Sequence, residues 1–234
     1  MTKLQIAIFT LKVIRRLLIE EQCRARFGES HGTKVNLNQK SFSAFNRMDT
    51  IANLLQHPLN SAAASWYKAE REELESIATE YGLSSEVVTA VVAHMSPQMK
   101  WPENKAVTVA LLDAHARGLS RGEMHATVRE GFPANREKSW DVLESGDPQA
   151  AKFGPKTGSF FANLLGDPQA VTVDRHHAMA MRGRSSKGDV ALSIRAYDIA
   201  RSITRYVANI VGMTPADFQA SIWVARREAL GIID

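Results

Sequence analysis

A short turn rich in glycine and proline offers backbone groups that could bind a phosphate. Residues 152–158 read Lys-Phe-Gly-Pro-Lys-Thr-Gly and join a predicted helix at about 136–144 to another at about 157–165. Glycine permits tight turns and a close approach of the backbone to a ligand. The first N–H groups of the second helix have no partner within it and carry partial positive charge, which suits an anion. On this segment alone, an ordinary corner between two helices is the simpler interpretation.

A carboxylate stands at a second informative position. Asp174 follows the apolar residues 171–173 and precedes Arg175-His176-His177. Aspartate before a helix commonly caps its free N–H groups, so Asp174 is either a cap alone or a cap that also presents its charge to a ligand. Such a carboxylate can stabilise a developing cation or take up a proton. The two adjacent histidines point in different directions on a helix, so no metal site is expected from them.

A third polar turn lies earlier in the chain. Residues 96–106 read Ser-Pro-Gln-Met-Lys-Trp-Pro-Glu-Asn-Lys-Ala, after an apolar helix. Gln98 is an amide that could read a base edge, Lys100 could pair with a phosphate, and Trp101 could stack on a base. The alternative is a solvated loop that the tryptophan anchors to the core.

Helical periodicity extends over most of the chain and must position these segments. Apolar residues recur at spacings of three and four, Ser84, Asp189 and Thr214-Pro215 are expected at helix starts, and glycines stand at several helix ends. Only residues 171–173 favour an extended conformation, and they are too few for a sheet. We therefore predict an all-α protein with a polar loop at 28–43. The expected helices span about 3–26, 44–56, 61–81, 84–95, 102–117, 120–130, 136–144, 157–165, 174–182, 189–210 and 215–230.

Composition limits the classes of function. The 234 residues include 44% hydrophobic residues, enough for a sizeable core. The net charge of +4 and the pI near 9.3 fit a nucleic-acid partner without requiring one. The single cysteine, Cys23, excludes an internal disulfide and a four-cysteine iron–sulfur site. No stretch is long and apolar enough for a membrane span, so we expect a cytoplasmic protein with no membrane partner.

Taken in order, the three segments resemble the helix-hairpin-helix, Gly/Pro–Asp superfamily of DNA glycosylases, which includes endonuclease III. Ser96-Pro97-Gln98 and Asn104-Lys105-Ala106 resemble that family's Ser-x-Gln turn and Asn-Lys-Ala helix start. Phe153-Gly154-Pro155-Lys156-Thr157-Gly158 matches the second half of its Leu-Pro-Gly-x-Gly-x-Lys-Thr-Ala hairpin. Val173-Asp174-Arg175-His176 matches its Val-Asp-x-His segment, 18 residues after Lys156 as in the bifunctional branch.

This resemblance covers residues 84–183, with 1–60 and 185–234 as flanking helices of what we expect to be one domain, 1–234. Lys152 replaces the first hairpin glycine, and the family's iron–sulfur cysteines are absent. Short phage-encoded proteins of poorly defined activity share the same sequence blocks and are a closer likeness. The resemblance implies two helical lobes flanking a cleft, double-stranded DNA with the target base flipped out, and neither a cofactor nor a metal.

The resemblance also implies roles for individual residues. Asp174 and Lys156 would be catalytic, with Lys156 attacking C1′ as a neutral amine in an AP-lyase step or serving only as a charged phosphate partner. Outside the part covered by the resemblance, the sequence itself predicts a solvated face of the last helix for Arg226 and Arg227, beside Trp223. The DNA contacts would come from Gly154, Pro155, Thr157, Gly158, Gln98, Lys100, Trp101, Arg175 and His176.

Three functions remain open at this point. The first is DNA N-glycosylase, with or without lyase activity, in repair or modification of DNA. The second is a phage thymine-hypermodification enzyme, of pyrophosphorylase or amino acid:DNA transferase type, that uses the same pocket. The third is a helix-hairpin-helix DNA-binding module without catalysis. The sequence does not determine the base recognised or the oligomeric state.

Overall fold

A computed structural model describes residues 47–57, 65–183 and 192–232, all of which fall in the compact unit Ala44–Asp234. Within these ranges the chain forms α-helices and no β-strand, which confirms the all-α prediction. The helix expected at 3–26 and the loop at 28–43 lie outside the described residues, and the single-domain assignment stays a prediction. The helices are α1 (Arg47–Gln56), α2 (Trp66–Tyr81), α3 (Ser85–Met95), α4 (Trp101–Ala116), α5 (Arg121–Thr127), α6 (Pro133–Ser145), α7 (Pro155–Leu164), α8 (Arg175–Met181), α9 (Ile194–Val211) and α10 (Pro215–Ala229).

Side-chain caps explain several of the helix starts. The Ser84 hydroxyl accepts a hydrogen bond from Val87 N at 3.2 Å, and the Thr214 hydroxyl accepts one from Asp217 N at 3.1 Å. Both caps were predicted. The start of α9 differs from the prediction, because residues 192 and 193 are not helical and Ser193 caps Ala196 N. The predicted cap Asp189 lies outside the described residues.

The helix expected at 120–130 is shorter in the structure. Helix α5 ends at Thr127, and Val128 is extended. The Arg136 guanidinium on α6 donates hydrogen bonds of 2.8–2.9 Å to the carbonyls of Arg129, Glu130 and Gly131. Those carbonyls therefore find their partner across the turn instead of within a longer helix.

Helix α3 forms the centre of the larger group of helices. Nine of its residues are buried, from Val87 to Met95, and it packs against α2, α4, α6 and α7. A helix that is apolar around its whole circumference belongs inside a protein. A second group consists of α1, α8, α9 and α10, which pack on one another, and α10 also contacts α2. Within the described ranges no helix is long and apolar enough to cross a membrane.

Candidate active site

The two helix groups meet at a cleft of about 700 Å³. Lys156, at the start of α7, and Asp174, just before α8, both line it. So do the other side chains that were expected near DNA from the 96–101 turn and from α8, namely Gln98, Lys100, Trp101, Arg175 and His176. The structure thus brings together residues from three segments that are far apart in the sequence.

Four residues of the glycine-proline turn do not line the cleft: Gly154, Pro155, Thr157 and Gly158. Gly154 N donates to Thr157 Oγ1 at 3.0 Å, and Gly158 N donates to Gly154 O at 2.8 Å. Two of the amides expected to hold a phosphate are therefore engaged inside the turn. Among the described residues, only the N–H groups of Lys156 and Thr157 remain as donors there, since proline has none.

The connection into this turn falls within the gap of residues 145–156 that the two predicted helices leave, because α6 ends one residue later and α7 begins two residues earlier than predicted. Helix α6 ends at Ser145, where Gly146 adopts a left-handed φ of 67°, and residues 146–154 separate it from α7. Phe153 anchors the end of this connection, because its ring stacks on the buried His94 at 4.2 Å. A Cβ on Gly158 would lie 3.3 Å from Phe153 Cβ, so glycine permits this close packing.

Two polar side chains hold the segment that delivers Asp174. Asn163 on α7 donates through Nδ2 to Ala170 O at 2.9 Å, and its Oδ1 accepts from the Thr172 hydroxyl at 2.8 Å. Tyr197 on α9 accepts from Val173 N at 3.0 Å and donates to Val171 O at 3.3 Å. Residues 170–173 are thus hydrogen-bonded to α7, the helix that begins beside Lys156, and to α9. These contacts fix the position of Asp174 relative to Lys156.

Removing the Tyr197 hydroxyl should destabilise the fold. In Tyr197→Phe, Val173 N–H and Val171 C=O lose a buried partner, and we expect the free energy of unfolding to fall by about 1–3 kcal/mol. Urea denaturation measures this change. The control is Tyr81→Phe, whose exposed hydroxyl donates to Asp113 at 2.6 Å and whose loss should cost under about 1 kcal/mol. Equal losses in the two variants would contradict the anchoring role of Tyr197.

Asp174 is both a helix cap and a cleft carboxylate. Its Oδ1 accepts a hydrogen bond from His177 N at 2.8 Å, which caps α8 as predicted. Its Oδ2 accepts a hydrogen bond from the indole Nε1 of Trp223 at 2.9 Å. Two N–H donors on separate oxygens hold the carboxylate in one orientation.

Lys156 lies in an environment that makes its ammonium group easier to deprotonate than that of an exposed lysine. Burial lowers the pKa of its ammonium, Asp174 opposes this shift, and Arg175 adds to it. No hydrogen bond or ion pair joins Lys156 to Asp174 in the described part of the chain. A lysine with a lowered pKa beside a carboxylate in a cleft is the arrangement expected of an amine nucleophile.

The histidines after Asp174 have different surroundings. Burial lowers the pKa of the partly exposed His176, and Arg175, Arg226 and Arg227 add to that effect, whereas Asp174 opposes it. His177 is fully buried, and burial lowers its pKa to about 4. The described residues contain no cluster that could hold a metal ion.

His177 has a structural role in α8. Its Nε2 lies 2.8 Å from the Thr204 hydroxyl, which itself donates to Ala200 O at 2.9 Å. Because that hydroxyl has only one hydrogen to donate, the neutral imidazole must carry its proton on Nε2 and donate to Thr204. His177 therefore ties α8 to α9 and is turned away from the chemistry of the cleft.

Aromatic rings form one wall of the cleft. The Trp66 ring centroid lies 5.2 Å from those of Trp101 and Trp223 and 6.4 Å from that of Phe160. Trp101 is only 8% exposed, and Lys105 lies over it at 5.5 Å while pairing with Glu70 and Glu73. The Trp101 indole is therefore a fixed wall of the cleft, whereas the side chain of Gln98 is exposed at the cleft.

Positive charge predominates around the cleft. Lys100, Lys156, Arg175 and Arg227 line it, and Asp174 is the one carboxylate among the described lining residues. Lys100 is paired at the rim with the exposed Glu103 at 3.7 Å, a contact of little energetic weight. This balance of charge favours a polyanionic ligand.

The expectation of a solvated face for Arg226 and Arg227 was wrong. The two side chains are only 8% and 7% exposed, and the Arg227 guanidinium lies 4.3 Å above the Trp223 ring. The last helix packs against α8 and α2, so these arginines face the protein. Sequence reasoning also missed the cleft residues Trp66, Tyr67, Gln219 and Trp223, which lie outside the three motif segments.

Comparison with known proteins gives one family assignment. No curated protein and no solved structure matches the chain. A family model does match, and it covers residues 50–230, which include the three motif segments and every helix from α2 to α10. The chain therefore belongs to DUF7178, a family of unknown function.

Proposed function

We propose that this protein is a DNA glycosylase-like enzyme, which turns a nucleotide out of duplex DNA into the cleft and breaks its N-glycosidic bond. The observation that carries the proposal is the placement of Lys156 and the doubly hydrogen-bonded Asp174 in one cleft with aromatic and cationic walls. A base inside a duplex is hidden from an enzyme, so the nucleotide must leave the stack before reaction. The resemblance of residues 84–183 to the glycosylases supports the same reaction.

Asp174 would stabilise the transition state. Cleavage of the bond between C1′ and the base builds positive charge on the sugar, as in other glycoside hydrolyses. A carboxylate already held by His177 N and Trp223 Nε1 needs little reorganisation as that charge develops. The same group can orient or deprotonate the attacking nucleophile.

Lys156 would supply that nucleophile. In its neutral form, Nζ attacks C1′ as the bond from C1′ to the base breaks, and the base departs with the bonding electrons. The secondary ammonium that forms gives up one proton through Asp174 or water, and this loss balances the proton that the departing base takes up. Opening of the sugar ring then gives a Schiff base, from which β-elimination can cut the strand. The lowered pKa of Lys156 supports this role because only the unprotonated amine reacts.

Gln98 would fill the space that the extruded nucleotide leaves. It is exposed, it lines the cleft, and its φ of 60° makes it the one non-glycine residue with positive φ among the described residues. A strained backbone at such a position is commonly retained for function. Its amide can also hydrogen-bond to a base edge.

Substitutions at Gln98 distinguish the energetic cost of its positive φ from the contribution of its side chain to base release. We expect Gln98→Gly to raise the free energy of unfolding by up to about 1 kcal/mol, since glycine adopts positive φ without strain. We also expect base release to fall by about tenfold, as for loss of one good positioning contact. The matched control is Gln98→Asn, because asparagine tolerates positive φ and keeps an amide. Full activity in Gln98→Gly would contradict this role.

The proposed reaction can be tested on duplexes that each carry one altered base, such as uracil, hypoxanthine, 8-oxoguanine or an oxidised pyrimidine, beside an unaltered duplex. We expect at least one of them to acquire a site that breaks in alkali after incubation with the protein. Strand breaks without alkali would indicate the lyase step. Tight binding to all duplexes with no alkali-labile site in any of them would contradict the proposal and favour a non-catalytic DNA-binding module.

A further inference from the structure

The last helix contributes directly to the surroundings of Asp174. Helix α10 lies beyond residues 84–183, the part of the chain that resembles the glycosylases. Its Trp223 nevertheless donates an indole N–H to Asp174 Oδ2 at 2.9 Å. The other oxygen, Oδ1, accepts from His177 N at 2.8 Å.

The two hydrogen bonds have different consequences for the carboxylate. The bond from His177 N caps α8 and holds one oxygen, but a single hydrogen bond tolerates a range of angles and leaves the carboxylate some rotation about the Cβ–Cγ bond. The bond from Trp223 to the second oxygen restricts that rotation. The indole therefore contributes to where the remaining oxygen lone pairs point within the cleft.

The indole is itself held from several sides. Its ring packs against Trp66 at a centroid distance of 5.2 Å, and the Arg227 guanidinium covers it at 4.3 Å. The start of α10 is fixed by the Thr214 cap and by a hydrogen bond of 3.2 Å from Ala216 N to Pro168 O. Packing of α10 on α8 and α2 completes the support. Because packing holds the Trp223 indole in place, its hydrogen bond orients the Asp174 carboxylate.

We propose that Trp223 is a positioning residue, which orients the Asp174 carboxylate toward the reacting sugar and makes α10 part of the reactive centre. The orientation is a property of the folded protein, and its effect on rate rests on the proposed glycosylase function. The two parts of the proposal can be measured separately.

Indole N–H signals in NMR spectra test the orientation without any substrate. Trp140 on α6 provides a matched control, because its Nε1 donates to Glu144 Oε1 at 2.7 Å away from the cleft. We expect Asp174→Asn to shift the Trp223 indole signal and leave that of Trp140 in place, because the asparagine must turn an N–H₂ group toward the indole to keep its cap. Glu144→Gln should shift the indole signal of Trp140 and leave that of Trp223 in place. An unchanged Trp223 signal in Asp174→Asn would overturn the inference.

A double-mutant cycle tests the effect on rate. Trp223→Phe keeps an aromatic ring and removes the donor, and we expect base release to slow by roughly 10- to 100-fold with little change in DNA affinity. In the Asp174→Asn background the same substitution should have no further effect, since Trp223 acts through Asp174. Trp140→Phe should leave the rate unchanged. A full additional loss in the double variant would overturn the positioning role.

The outcomes distinguish this inference from the proposed function. A wild-type protein that releases no base from any duplex contradicts the glycosylase proposal, whereas the NMR comparison still decides whether Trp223 holds Asp174. A wild-type protein that is active but unaffected by Trp223→Phe contradicts the positioning role alone.

Discussion

Asp174→Asn should slow base release by at least about 100-fold while leaving the fold intact, a loss typical of removing one preorganised charge from a transition state. Asparagine caps a helix as well as aspartate does, so the bond from His177 N can persist. The side chain loses its negative charge, which we propose stabilises the sugar cation. Single-turnover rates on the preferred duplex measure the effect, and circular dichroism with urea denaturation measures the fold.

Asp167→Asn is the matched control for this substitution. Asp167 is exposed, accepts a hydrogen bond from Gln169 N at 2.8 Å and does not line the cleft, so its replacement should leave the rate unchanged. An active Asp174→Asn variant would show that Asp174 is only a cap. That result would favour the non-catalytic DNA-binding module over an enzyme.

Lys156→Ala should eliminate the covalent protein–DNA adduct that borohydride traps from the wild-type protein. The adduct requires the neutral amine, which predominates above the pKa of the group. Because burial lowers the pKa of Lys156, we expect trapping to extend to lower pH than it would for an exposed lysine. The yield should fall as the pH is lowered, because protonation removes the reactive amine, and trapping across a pH series measures this.

Lys152→Ala is the control for the lysine. Lys152 is exposed on the same connection and does not line the cleft, so its replacement should leave the adduct intact. An adduct that persists in Lys156→Ala would assign the nucleophile elsewhere. Base release by the wild type without any adduct would leave Lys156 as a phosphate partner in a monofunctional enzyme.

The helices could be predicted because their signals are local. Ser84 and Thr214-Pro215 cap the helices that follow them, and the apolar spacing of α3 identifies a buried helix. The end of α5 could not be predicted in the same way, because Arg136 satisfies carbonyls across a turn. The end of α6 at Ser145, before Gly146, lies within one residue of its predicted position.

The meeting of Lys156 and Asp174 was expected from the resemblance, and the structure supplies a physical reason for it. Asn163 lies on the helix that starts beside Lys156, and it holds the backbone and a side chain of the segment leading to Asp174. These contacts span only seven and nine residues. Both contacts join residues that lie close together in the sequence and within the part that resembles the glycosylases. Recognising that resemblance is therefore enough to predict that Lys156 and Asp174 lie near each other.

The contribution of α10 left no comparable signature. Trp223 lies 49 residues after Asp174, and its role depends on how α10 packs against α8. From sequence alone, Arg226 and Arg227 are typical of an exposed helix face, and only that packing reveals their burial. Long-range packing of this kind determines which donor reaches a carboxylate, and a periodic pattern carries no information about it.

The most direct test of the account is the intact mass of each DNA strand recovered after incubation with the wild-type protein and with Asp174→Asn. With the wild type we predict that one strand loses a base and gains a water, or is cut into the fragments that β-elimination leaves. The strand treated with Asp174→Asn should retain its full mass. A strand of unchanged mass with the wild type would contradict the account. A strand that gains mass at an intact base would contradict it as well and would identify a base-modifying transferase.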